Sequence, residues 1–295
     1  MSLPGQARRL QYVNQRNEGA MMRLGLEAGK CTHDLAAELE IRGVPITAAR
    51  LVDGGVDATL APLRERGLQV CQIGAMMFNP LSTDLQAQAK QAAALQKAIP
   101  LAGDTGCPYI VINGGNYHPS GYGAGDARNF TEEALDKVAD VLMPHLEAAE
   151  RHGVKLSIEA YLKTAVCSPE AFLRLKDKVG GTDSLRCNVD VTSLYDYGDL
   201  WDPTVKVEHV CRTLVGHYGL GHIKEVTLRE GFHIHAELAP LGTGPTNWAG
   251  VLSLMAPHLP EDSWIILEHV QSPEEGRASV KLLRAAADEA GVTLA

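Results

Sequence analysis

A closed (β/α)₈ barrel in a single domain is predicted by three features of the chain. Strand-like and helix-like stretches alternate along its length and make eight β/α units. The 295 residues, 45% of them hydrophobic, suit one large barrel better than two small domains. The first strand leads through Leu24-Gly25-Leu26-Glu27-Ala28-Gly29-Lys30, which is neither a dinucleotide fingerprint nor a phosphate loop, so an open nucleotide-binding sheet is disfavoured. The barrel is placed over residues 21–295. Residues 1–20 are polar and form an N-terminal arm expected to be partly disordered.

Each element has its own signal. Residues 21–27 make the first strand, and 32–42 a helix with His33 and Asp34 in its first turn. Residues 44–52 are β-rich, and 58–66 form a helix with Pro62 early in it that stops at Gly67. A third strand covers 68–75. The Ala/Gln-rich stretch 84–98 holds no interior Gly or Pro, as a good helix requires, and Pro100 follows it. A fourth strand covers 109–113. Thr131 caps a helix reaching His152, with Glu132 and Glu133 at its positive end and Pro144 placed to kink it. The fifth strand covers 154–161, and Ser168-Pro169-Glu170 then opens a helix with Ser as N-cap and Pro in first position. The sixth strand covers 186–191, and Asp202-Pro203 opens a helix ending near Gly216. The seventh covers 221–226, with a helix from about Asn247, and the eighth covers 264–270. Ser272-Pro273-Glu274-Glu275 is a capping box, and its helix ends by Gly291.

Composition excludes several functions. Formal net charge is −9, from 27 basic and 36 acidic residues, and no basic run of five occurs, which argues against a nucleic-acid partner. The six cysteines are scattered without a C-x-x-C pair, which fits a reducing, cytoplasmic compartment rather than a disulfide framework. No 18-residue apolar run and no signal-peptide pattern is present, so no membrane partner is expected.

The chemistry is expected at the C-terminal strand ends, where barrels of this kind place it. A carboxylate in an apolar strand is costly unless something pairs with it. Three strands carry one near their ends: Glu159, Asp190 and Glu268. The strand between the last two carries His222. Three carboxylates and an imidazole from four consecutive strands make a set suited to a divalent cation. The simpler reading for each acid is a buried ion pair with Arg or Lys. Alternation puts Tyr161 on the face of Glu159, Thr192 on that of Asp190, and Lys224 on that of His222. His269 should face away from Glu268 and be structural. His233 and His235 are alternative ligands if the seventh strand, whose start Tyr218-Gly219-Leu220-Gly221 is poor β sequence, lies elsewhere. Two long loops are expected as substrate walls: residues 113–129, with five glycines and His118-Pro119, and residues 227–246, with His233, His235 and Leu241-Gly242-Thr243-Gly244.

Strand-end Glu159, Asp190 in Asn188-Val189-Asp190, His222-Ile223-Lys224-Glu225, His118-Pro119, Leu241-Gly242-Thr243-Gly244 before Trp248, and then Glu268 occur in an order that resembles the xylose-isomerase-like TIM-barrel superfamily. The resemblance spans most of the chain from about residue 20. It implies that Glu159, Asp190, His222 and Glu268 hold one Mn²⁺, Mg²⁺ or Co²⁺. It also implies that Glu159 and Glu268 are the catalytic pair, with His118, Lys224, Tyr161 and His235 contacting a small carbohydrate substrate, in a homodimer or homotetramer. Many members carry His three residues after the sixth-strand acid. Here that position is Ser193, which cannot act as base or ligand and counts against a multi-metal endonuclease. The expected activity is sugar isomerisation or epimerisation through an enediolate. The alternatives are β-elimination from a keto-sugar or keto-cyclitol, with His118 or His235 protonating the leaving group, and a non-catalytic sugar-binding barrel.

Overall fold

The computed structural model describes residues 20–121 and 123–295. The arm expected over residues 1–20 therefore lies, apart from Ala20, outside the described residues. Eight parallel strands close a barrel in the order β11-β2-β3-β4-β5-β6-β7-β8. They are β2 (Leu24–Leu26), β3 (Gly43–Thr47), β4 (Gln69–Ala75), β5 (Tyr109–Asn113), β6 (Lys155–Glu159), β7 (Leu185–Val189), β8 (Tyr218–Ile223) and β11 (Ile265–Leu267). Closure is made by β11, which pairs Ile265 with Leu24 of β2 on one side and Ile266 with His222 of β8 on the other. The core between the barrel and its helices is apolar: Leu26, Ile73, Ile110, Ile112, Leu156, Ile158 and Ile265 are fully buried. That burial is what drives the eight units onto one core.

The helices follow the expected caps. They are α1 (Thr32–Glu38), α2 (Ala48–Arg64), α3 (Leu85–Ala102), α4 (Glu132–Arg151), α5 (Pro169–Lys178), α6 (Thr204–Thr213), α7 (Trp248–Met255) and α8 (Pro273–Ala290). The Thr131 side chain accepts from Ala134 N, Ser168 from Ala171 N, Asn247 from Gly250 N and Ser272 from Glu275 N. The Glu275 carboxylate reaches back past the cap residue and accepts from Gln271 N. Among the described residues, no helix is long and apolar enough to cross a membrane.

Five expectations are corrected. The first strand is two: β1 (Ala20–Met22) leaves the barrel and pairs with the C-terminal β12 (Val292–Leu294), while β2 alone joins the barrel. Residues 48–52, read as β, open α2, which runs through a kink where Gly55 has φ 74° and ψ 171°. The kink joins a first helical stretch, read as β, to the helix expected over 58–66. Pro100 lies inside α3 rather than after it. The loop over residues 227–246 contains an antiparallel hairpin, β9 (Glu225–Arg229) with β10 (His235–Ala239), pairing His235 with Arg229. The seventh strand runs over Tyr218–Ile223 rather than 221–226, its glycines notwithstanding. At Gly219 an added Cβ would meet the Ser157 side chain, so close interior packing explains that glycine.

Candidate metal centre

Glu159 is the last residue of β6, and Asp190 and Glu268 immediately follow β7 and β11. His222 lies in β8, and Lys224 just beyond that strand's end. These positions turn four strands' side chains into the mouth. One ligand atom from each of Glu159, Asp190, His222 and Glu268 lies within 4.8 Å of all the others. The residues expected to form one site are thus brought together.

Lys224 stands among them. Its Nζ is 2.5 Å from Asp190 Oδ2, 2.7 Å from Glu268 Oε1 and 3.3 Å from Glu159 Oε1. A single ammonium offsets one of three buried negative charges, and isolated buried charge is expensive. The surroundings separate the groups. Burial raises Glu159 above the usual carboxylate range, with Lys224 opposing and Glu268 adding to the rise. Burial acts the same way on Glu268, but the charges of His222 and Lys224 overcome it and hold Glu268 well below that range. Desolvation opposes the charge on Lys224, yet Asp190, Glu159 and Glu268 keep it firmly protonated, well above an ordinary lysine.

Each ligand is held by neighbours. Asp190 Oδ1 accepts from Thr192 N, Thr192 Oγ1 and Ser193 N, and Oδ2 from Ser193 Oγ at 3.0 Å. Ser193 therefore anchors the acid rather than serving as base. His222 Nε2 meets Gln72 Oε1, on β4, at 2.8 Å. An amide oxygen accepts, so in the neutral ring Nε2 carries the hydrogen and Nδ1 keeps its lone pair. Nδ1 is buried, lies 3.1 Å from Glu268 Oε2, and has no aligned hydrogen-bond partner among the described residues. Desolvation works against a charge on this ring, but Glu268 beside it raises its pKa. A buried lone pair aimed at three carboxylates fits a dication, and the oxygen and nitrogen donors are those Mn²⁺, Mg²⁺ or Co²⁺ accept. Glu159, Asp190, His222 and Glu268 would hold such an ion, which would have to displace the Lys224 ammonium from the carboxylates.

The other expected residues lie further out. Tyr161 lines a cavity of about 460 Å³ beside the centre, whose wall also includes the central Lys224. His118 sits on the loop after β5, with Nδ1 2.7 Å from Ser120 Oγ. His233 and His235 are exposed on the hairpin turn and its return strand, outside the cluster.

Three contributors escaped the sequence reading. Gln72 orients His222 from 150 residues away, a relation that only folding reveals. Glu225, 2% exposed, accepts from Thr246 Oγ1 at 2.8 Å, Trp248 Nε1 at 3.0 Å and Gly242 N at 3.4 Å. It thereby pins the Leu241-Gly242-Thr243-Gly244 segment. A Cβ at Gly244 would collide with Val226 O and the Glu225 carboxylate, which is why glycine stands there. His269 corrects the expectation that it faces away. Its strand stops at Leu267, its φ is +60°, and its Nε2 lies 3.5 Å from Glu268 Oε1. Alternation no longer applies once the backbone enters the left-handed region.

The family model for the xylose isomerase-like TIM barrel matches residues 33–286. No curated protein sequence matches the chain. Among solved structures, the chain is similar in fold to 3-keto-D-glucoside 4-epimerase from E. coli, at TM-score 0.69 and 13% identity over 90% of this chain and 99% of that one. It is also similar to a xylose isomerase-like TIM barrel protein from Mycobacterium smegmatis in complex with magnesium, at 0.64 and 17% over 86% and 87%. A third similar structure is D-psicose 3-epimerase in the presence of D-fructose, at 0.64 and 14% over 90% and 99%. With a family match over most of its length and a closed eight-stranded barrel, this chain belongs to the xylose isomerase-like TIM barrel family.

Proposed function

We propose that the chain is a divalent-metal-dependent isomerase or epimerase acting on a sugar or keto-sugar. The observation that carries this reading is the convergence of Glu159, Asp190, His222 and Glu268, with ligand atoms within 4.8 Å of one another. Family membership, the epimerases among its fold relatives and a magnesium-bound relative support it. When bound, the dication supplies Lewis acidity that polarises adjacent substrate oxygens and acidifies the C–H between them.

The chain's own groups do the rest. Glu159 on β6 and Glu268 after β11 approach the centre from strands three apart in the barrel order. One takes the proton from the substrate carbon and the other returns it, passing through an enediolate of the substrate. Asp190, fixed by four hydrogen bonds, holds position and does not exchange protons. Lys224, released from the carboxylates, donates to a substrate oxygen. Tyr161 lines the substrate cavity with it. His118 and His235 contact substrate from the two loops above.

The test is solvent-deuterium exchange into ketoses by Mn²⁺-loaded protein. Glu159→Gln and Glu268→Gln should each lower exchange by about 10²–10⁴-fold while the protein stays folded. Exchange retained in both variants contradicts the reading. Expulsion of a leaving group from a keto-glycoside or inosose assigns the site to β-elimination instead.

A further inference from the structure

We propose that the site takes a carbohydrate bearing an aromatic or other flat apolar substituent, which seats in the cavity beside Lys224. The inference rests on the metal-dependent reading above and adds the substrate class. The cavity, of about 460 Å³, opens over the ends of β6, β7 and β8, and Lys224 lies in its wall. Because the Nζ of that lysine touches all three carboxylates, the cavity joins the metal centre directly. Its volume lies in the range of small-molecule sites, about 300–1,000 Å³.

Lys163, Asp196 and Glu237 lie on its lining, but a large part of the wall is the wrong chemistry for a bare polyol. Leu162, Leu200, Val226 and Leu238 line it, together with Tyr195, whose hydroxyl is already engaged with Thr246 Oγ1 at 3.1 Å. Of the polar lining groups, Thr192 and Ser193 give their hydroxyl hydrogens to Asp190 and Asp196 pairs with Lys206, which leaves Lys224, once a cation holds the carboxylates, to meet the sugar's oxygens at the inner end of the cavity. A sugar hydroxyl laid against the apolar part of those walls would lose its water without gaining a partner. A flat apolar group reverses the balance, since it removes apolar surface from water on both sides. Tyr197, 69% exposed, and Leu238, 48% exposed, stand at the cavity as solvent-facing apolar surface that such a group would cover. The sugar then lies over the carboxylates, with its substituent between the loop after β7 and the β9–β10 hairpin.

The experiment is calorimetric titration of the Mn²⁺-loaded full chain with matched methyl and phenyl glycosides of D-glucose, D-galactose and D-xylose. Phenyl glycosides should bind at least tenfold more tightly than their methyl partners. Ala236→Trp, which fills the cavity from the hairpin, and Leu238→Asp should bring the ratio to near one while leaving Mn²⁺ affinity unchanged. Equal affinity within every pair, no phenyl glycoside bound, or a ratio that survives both variants would overturn the inference. The Mn²⁺ isotherm is read separately. A chain that binds Mn²⁺ but does not prefer phenyl glycosides defeats this inference alone. Failure to bind Mn²⁺ defeats the metal-dependent reading.

Discussion

The two halves of the barrel end their strands in polar residues that do different work. In the half made by β2 to β5, those residues serve the backbone. Glu27 accepts from Gly29 N and His269 N, Thr47 from Arg50 N, and Asn113 from Gly115 N. In the half made by β6, β7, β8 and β11, Glu159, Asp190 and Glu268 turn inward onto Lys224 and His222. The same position in the fold therefore closes a turn in one half and gathers charge in the other. Stability is supplied where groups are locally satisfied, and chemistry where satisfaction depends on a cation. Gln72 crosses from the first half to the second through its bond to His222.

That contrast is sharpest at Lys224. Lys224→Met leaves three buried carboxylates unneutralised, so the chelated protein should lose about 3–5 kcal/mol of stability. Mn²⁺ should restore more of it than in wild type, because the competing ammonium is gone. Chemical denaturation with and without chelator measures both. Equal metal affinity in wild type and variant would break the comparison.

Ile110→Ala, in the fully buried wall of β5, should cost about 2–5 kcal/mol through the cavity it leaves. It should leave Mn²⁺ affinity within a few-fold, as expected of a residue that serves only the core. Gln72→Leu is the intermediate case. It should lower Mn²⁺ affinity by about 10–100-fold by freeing the His222 ring, with a smaller effect on stability. Unchanged affinity in that variant would show that the two halves are not coupled through Gln72.

The same contrast explains what could be read from the sequence. Glu159, Asp190 and Glu268 stand out because a carboxylate at the end of an apolar strand has no local excuse. The barrel's rhythm and the caps at Thr131, Ser168 and Ser272 are local signals, and each forms its expected bond. What stayed hidden is non-local or unpatterned. The β9–β10 hairpin is half-exposed on one strand and largely exposed on the other, so no buried apolar face marks it as sheet. His269 depends on a backbone dihedral, and Gln72 on a partner far along the chain. The central position of Lys224 follows from sharing a face with His222, but its contact with all three acids appears only when the strands converge.

The most direct measurement is titration of chelated protein with Mn²⁺, following heat and melting temperature, in wild type, His222→Ala and His233→Ala. The account predicts one ion per chain, a rise in melting temperature on binding, loss of both in His222→Ala, and both unchanged in His233→Ala. Mn²⁺ bound equally well by His222→Ala, or lost in His233→Ala instead, would contradict the assignment of Glu159, Asp190, His222 and Glu268 to a single centre.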